Sequence, residues 1–327
     1  MLHAKDTVQL MERQITRQKL LSSSSCETKM LLMSKEELGR AFTRRKIAFL
    51  GDSILRNIFC ELIRLFEPNI QLPLHNAGSL RILQKLTKKV EKKTEGRTKY
   101  WRYSNFNFQI DIFYAHSTLL SQNLIRSRFF DLGSYTDIVI SNAVWDMGIS
   151  FRGHEAYYEA LSDILTFLDE KQLGSFRTRK NTILLGLHYI NTTLCTSEKC
   201  KICNHDLIQN YVRESQKKAV MCLRSPILID SFQFTNTFVA NMNSHDGVHP
   251  SAEISRLQAE LILQAILSET KDCPVFLKGQ IRQDCKATGP ALPRSDLKHL
   301  QKFATSEAGR GISCLERNPI DNLYIKG

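Results

Sequence analysis

The chain predicts an α/β fold in which a parallel sheet is covered by helices on both faces. Short apolar runs alternate with longer segments of helical spacing from about residue 45 to residue 267, the pattern of strand and crossover helix. Most of those runs are apolar throughout rather than at every second position, as strands buried on both faces are. Polar residues with chemical potential also cluster just after the predicted strands, where sites gather in open α/β sheets.

The elements follow in order. Residues 46–50, Lys-Ile-Ala-Phe-Leu, read as a short buried strand. Residues 54–66 read as a helix, because Leu55, Ile58, Phe59, Leu62, Ile63 and Phe66 recur at helical spacing. A short strand is expected over 70–74. Residues 80–90 are a basic helix candidate with Leu83, Leu86 and Val90 on one side. Phe106, Phe108, Ile110, Ile112 and Tyr114 alternate, a strand signal. Helices are expected over 118–130, 155–170, 206–223 and 251–267, with strands at 137–141, 182–187 and 227–230. Ahead of them, Ser34-Lys35-Glu36-Glu37 resembles a helix start, with a capping serine and a Glu three residues on. One domain is therefore expected over 40–268. Residues 1–39 read as a lead-in, helical or partly disordered. Residues 269–327 read as a partly disordered tail, because Gly, Pro and dispersed charge show no periodicity there.

Bulk properties narrow the classes. The chain has 327 residues, 42% of them hydrophobic, enough for a sizeable core. No stretch reaches eighteen apolar residues, so no transmembrane segment is expected. The N-terminus lacks the apolar run of a secretory signal. With nine cysteines, an odd count, the expectation is reduced thiols in a cytoplasmic or nuclear protein. Asn191-Thr192-Thr193 matches a glycosylation acceptor, which has no meaning in a chain that is not secreted.

The net charge of +12 permits attraction to nucleic acid, anionic lipid or acidic substrates without choosing among them. Residues 81–102 hold nine Lys or Arg against two Glu, a local charge of +7. With Tyr100, Trp101 and Tyr103 they fit a surface that grips phosphates and stacks bases. A solvated helix face explains them more simply, so nucleic acid is not the expected partner. Cys195, Cys200, Cys203 and His205 place four soft ligands within eleven residues, a set able to close around zinc. Their spacing matches no familiar finger, and free thiols in a loop are the plainer reading, so no metal is expected.

Two motifs point to chemistry. Lys46-Ile47-Ala48-Phe49-Leu50 runs straight into Gly51-Asp52-Ser53, and Asp246-Gly247-Val248-His249 precedes the last helix. A serine hydroxyl attacks at neutral pH only if an imidazole takes its proton, and a carboxylate must fix that imidazole's tautomer. Ser53 is the candidate nucleophile, His249 the base and Asp246 the orienter. Donors for the developing oxyanion are the backbone N–H groups of Ser53 and Gly78 and the side-chain amide of Asn142. Asp52 reads as the cap of the following helix. Arg56 is a contact for an anionic substrate or for a loop acid, and His188, at a strand end, is a candidate to line the same pocket.

At these residues the chain resembles the GDSL/SGNH hydrolase superfamily. It is most similar to the PC-esterase domain-containing proteins through Phe49-Leu50-Gly51-Asp52-Ser53-Ile54-Leu55-Arg56, Ser141-Asn142-Ala143-Val144-Trp145-Asp146 and His245-Asp246-Gly247-Val248-His249. The resemblance covers roughly 40–268. It implies a flavodoxin-like three-layer α/β/α fold and hydrolysis of acyl esters, such as acylated glycans or lipids, through an acyl-serine intermediate and without a cofactor. The superfamily's third block reads Gly-x-Asn-Asp. With Asp146 aligned to its last residue, Trp145 stands where Asn is expected, which makes Trp145 a substrate-contact candidate and leaves Asn142 to supply the amide. Two other readings stay open: a catalytically silent binding module on the same scaffold, and a basic nucleic-acid-binding protein.

Overall fold

A computed structural model describes residues 35–70, 79–95, 98–105, 107–115, 117–127, 130–148, 154–173, 181–195, 206–235, 246–267 and 275–278. The elements are α1 (Lys35–Ala41), β1 (Lys46–Gly51), α2 (Ser53–Phe66), α3 (Ser79–Leu86), β2 (Val90–Glu95), β3 (Thr98–Ser104) and β4 (Gln109–Tyr114). They continue with α4 (Thr118–Ile125), β5 (Asp137–Ser141), α5 (Ala143–Gly148), α6 (His154–Leu173), β6 (Asn181–Leu185) and α7 (Asp206–Met221). Last come β7 (Ile227–Ile229), α8 (Ser231–Thr235), α9 (Ala252–Ile266) and β8 (Phe276–Lys278), with short 3-10 turns at Leu132–Ser134 and Thr192–Leu194.

The eight strands form one sheet in the order β2-β3-β4-β1-β5-β6-β7-β8. The five inner strands, β4-β1-β5-β6-β7, are all parallel. Numbered among themselves along the chain, they run 2-1-3-4-5, the flavodoxin-like order whose connections reverse direction between β1 and β5. The pleat of β1 shows how one strand serves two layers. Ile47 and Phe49 point into a core built with Leu55, Ile58, Phe59 and Leu62 of α2 and Leu261, Ile262 and Ala265 of α9. Ala48 and Leu50 point into the other core, with Leu161, Ile164 and Leu165 of α6 and Ile208, Val212 and Ala219 of α7. Each such Leu, Ile or Phe contributes about 2 kcal/mol when fully buried. The expected three-layer arrangement is therefore the one observed.

The edges differ from the expectation. The basic segment is not one helix over 80–90. Helix α3 stops at Leu86, and Val90 opens β2, which pairs antiparallel with β3, as β3 does with β4. Three of its nine basic residues are paired locally. Arg102 makes a two-pronged contact with the buried Asp111 (2.8 and 3.0 Å), while Lys89 pairs with Glu67 and Lys93 with Glu91. Lysines on an edge strand also discourage pairing with other chains. At the opposite edge β8, within the expected tail, adds antiparallel to β7. The expected strand at 70–74 and the lead-in helix before residue 35 lie outside the described residues, as do residues 279–327. Among the described residues, no helix is long and apolar enough to cross a membrane.

Strand β1 ends against β5 with no room to spare. A Cβ on Gly51 would lie 2.4 Å from the Ser141 carbonyl oxygen and 2.7 Å from Leu55 Cδ2. We expect Gly51→Ala to destabilise the protein by about 2–3 kcal/mol. Gly39, in α1, has nothing within 4 Å of its would-be Cβ, so Gly39→Ala should stabilise by about 0.5–1 kcal/mol through helix propensity. Urea unfolding of both variants checks the pair, and equal effects would refute the packing argument.

Candidate active site

Ser53 owes its position to the break between β1 and α2. Strand β1 ends at Gly51, and Asp52 caps α2, its Oδ1 accepting the Ile54 N–H at 2.8 Å. Ser53 is then the first residue of the helix, where a backbone N–H has no partner within the helix. Asp52 is buried. Its burial pushes the carboxyl up to about 6, an effect opposed by the Ile54 N–H and by the nearby His249 and Arg56. The capping role expected for Asp52 is the one observed.

The base arrives from the other end of the chain. Asp246 Oδ1 accepts the backbone N–H groups of Val248 and His249, both at 2.9 Å, which folds the loop back on its own carboxylate. Asp246 Oδ2 then lies 2.6 Å from His249 Nδ1. A carboxylate accepts, so Nδ1 carries the hydrogen and Nε2 presents its lone pair. Ser53 Oγ lies 2.9 Å from that Nε2, placed to donate its proton. Gly247 makes the loop possible, with φ of +73°. A Cβ there would also stand 2.5 Å from the Asn191 carbonyl oxygen. The Asn191 N–H donates to the Gly247 carbonyl at 3.1 Å, clasping the loop to the turn after β6. Ser251 caps α9 directly behind it.

Asn142 follows β5 and faces the same edge of the sheet. It is buried, its amide N–H donates to the Ala115 carbonyl, and its Oδ1 accepts from Ser121 Oγ at 3.0 Å. Ala115 in turn donates its N–H to the Gly51 carbonyl at 2.9 Å. The ends of β4, β1 and β5 are thus laced together around the serine. Two contributors escaped the sequence reading. Ser121 gives no local signal, since its role depends on α4 packing across β5. Asp146 was quoted only as a motif residue, yet its buried carboxylate accepts the Thr118 N–H at 2.9 Å and holds the start of α4. An acidic residue three to four positions beyond a strand-end Asn is the signal available for it.

His188 is buried, and its Nε2 donates to the Val248 carbonyl at 2.6 Å, so it braces the loop that carries His249. Burial lowers its pKa to about 4, keeping the ring neutral. Arg56 lies three residues after Ser53 on α2. Gly78, Cys200, Cys203 and His205 lie outside the described residues, and so does the side chain of Trp145. Cys195 and Cys222 are disulfide-bonded, against the reduced thiols expected, which also removes Cys195 from any thiolate set. The physical setting is a buried Cys195 held at the end of the Thr192–Leu194 turn. Cys60, buried on α2, is a free thiol. Among the described residues, no group of His, Cys, Asp or Glu is arranged to hold a metal.

No family model matches the chain, and no curated protein matches it in sequence. Among solved structures it is similar to a putative GDSL-like lipase from Parabacteroides merdae, at 12% identity over 69% of this chain and 97% of that one, with a TM-score of 0.41. The acetylxylan esterase Axe2 from Geobacillus stearothermophilus matches at 12% identity over 69% and 95%, with a TM-score of 0.37. A DUF4886 family protein from Bacteroides uniformis matches at 14% identity over 85% and 98%, with a TM-score of 0.41. Likeness at this level carries no chemistry across, and the site stands on its own geometry.

The neutral, buried His188 has a consequence for stability. Its pKa falls from 6.5 unfolded to about 4 folded. Its stabilising contribution is therefore complete above pH 6.5 and is lost as pH falls through 4. At about 1.4 kcal/mol per tenfold change in proton affinity, the loss reaches about 3 kcal/mol. Asp52, whose pKa is raised, works in the opposite sense, its contribution fading as pH rises through about 6. Urea unfolding of wild type and His188→Gln at matched pH values cancels that background. The stability difference between the two should shrink as pH drops from 6.5 to 4; a pH-independent difference would refute the neutral-ring reading.

Proposed function

We propose that this chain is a serine esterase of the GDSL/SGNH type. The observation that carries the reading is the unbroken relay from Ser53 Oγ to His249 Nε2 at 2.9 Å and from His249 Nδ1 to Asp246 Oδ2 at 2.6 Å, set where the strand order reverses. Residues almost two hundred positions apart meet in a geometry suited to activating a hydroxyl.

In this mechanism Ser53 Oγ attacks the ester carbonyl as His249 Nε2 takes its proton. Asp246 steadies the imidazolium that forms. The new oxyanion faces the N–H of Ser53 at the start of α2, where the helix dipole also favours negative charge. An amide nitrogen carries two hydrogens, so Asn142 retains a second N–H beside the one given to Ala115, and that is the donor we assign with Ser53. The Gly78 N–H, expected from the sequence alone, is kept as a third candidate donor. His249 then passes its proton to the departing alcohol. Water, activated by the same imidazole, cleaves the acyl-serine and restores the hydroxyl. The chemistry needs no cofactor. Acylated glycans or lipids are the substrate class that the family resemblance suggests.

A fluorophosphonate probe should label the purified wild type at Ser53 and fail to label Ser53→Ala. His249→Ala should lose labelling, and Asp246→Asn should lower the labelling rate by at least ~100-fold through the wrong imidazole tautomer. Undiminished labelling of Ser53→Ala, with the fold intact by circular dichroism, would overturn the assignment.

A further inference from the structure

Among the described residues, five arginines are half-buried: Arg45, Arg56, Arg64, Arg102 and Arg213. Four of them sit on carboxylates: Arg45 on Asp137, Arg64 on Glu61, Arg102 on Asp111 and Arg213 on Asp230. Arg56 forms no ion pair with any of the described residues. Its Nε is buried with no hydrogen-bond partner, and its terminal nitrogen reaches Asn57 Oδ1 only at 3.4 Å, at the limit of a hydrogen bond. A guanidinium presents a planar fork of donors matched to carboxylate or phosphate. Leaving a buried Nε without an acceptor costs stability, while the other four half-buried arginines sit on carboxylates.

Position gives this guanidinium a meaning. Arg56 follows Ser53 by three residues on α2, so both stand on one side of the helix, about 4.5 Å apart along its axis. Tyr114, in register with Gly51 at the end of β4, is 54% exposed beside them. Its hydroxyl is pushed up by burial and by Asp52, and pulled down by Arg56, so the three side chains are neighbours. Asp52 lies near enough to feel the arginine without pairing with it. Its Oδ1 is committed to the Ile54 N–H, and no ion pair joins the two.

Resting on the esterase reading, we infer that Arg56 selects esters bearing a negative charge near the scissile carbonyl. The charge is a carboxylate or phosphate within about one helical turn, roughly 5 Å, of the attacked carbon. Arg56 receives the anion while Ser53 attacks the neighbouring carbonyl, and Tyr114 walls the space between solvent and substrate. The anion belongs either to the acyl chain or to the alcohol.

Hydrolysis of three phenyl esters separates these sources: neutral p-nitrophenyl butyrate, p-nitrophenyl hemisuccinate with its charge on the acyl side, and 3-acetoxybenzoate with its charge on the alcohol side. The wild type should favour one charged ester over the neutral one in kcat/KM by tenfold or more, and added salt should erode that preference. Arg56→Gln should lower the charged-to-neutral ratio by at least tenfold, and Arg56→Lys should restore part of it. A ratio that Arg56→Gln leaves unmoved overturns the inference. A second arm needs no turnover and so stands apart from the esterase reading. Calorimetric titration with monomethyl succinate should show binding to Ser53→Ala and at least tenfold weaker binding to Ser53→Ala/Arg56→Gln. Equal binding to both, or binding to neither, sinks the proposal even if the chain proves to be an esterase. Binding lost with Arg56, in a protein that hydrolyses none of the esters, would uphold the anion site and refute the esterase reading instead.

Discussion

Strands β1 and β5 run side by side until Gly51 meets Ser141, and at that point only a hydrogen atom fits between them. Two neighbouring strands can end this close together only if one of them ends on glycine. The contact sets where α2 leaves the sheet, and so where Ser53 stands. It also sets how near Asn142 lies to that serine, because Asn142 is the next residue after Ser141. The lacing through Ala115 draws β4 into the same knot. A reactive hydroxyl, an amide and the N-terminus of a fourteen-residue helix are thereby brought to one edge by backbone geometry, before any side-chain chemistry is considered.

The second half of the site is organised differently. The Asp246 loop is shaped mostly by its own carboxylate, which gathers two backbone N–H groups and an imidazole. What fixes it in space comes from β6 and its following turn, through His188 beneath and Asn191 alongside. Serine and histidine thus belong to separately supported halves, one anchored in β1 and β5, the other in β6 and α9. The 2.9 Å contact between them reports whether the intervening sheet has kept its spacing, since interiors packed this densely transmit small shifts.

Much of this was legible in the sequence where the signal is local. Strand β5 was read to its exact ends because Asp137–Ser141 is short, apolar and bounded. Asp246 and His249 declared themselves because they are three residues apart, and Ser53 because it follows a buried strand. Helix α2 was plain because its apolar face is continuous. The failures share a cause in distant contacts. Val90 completes a helical series with Leu83 and Leu86, yet it is buried as the first residue of β2 while Leu86 ends 51% exposed; the charged β2 becomes a strand only through β3. The bond that His188 makes to a loop sixty residues away has no local signal either. The three-residue β8 has no pattern of its own and exists only because β7 offers an edge.

That last strand bears on where the domain can be cut. Strand β7 is Ile-Leu-Ile, fully buried, and β8 covers its open side. A fragment ended after α9, where the helical periodicity stops, would leave a bare apolar strand edge with unpaired N–H and C=O groups. Such an edge recruits other chains. Strand β8 is thus the guard of the sheet, and a boundary drawn from periodicity alone would leave the β7 edge open to other chains.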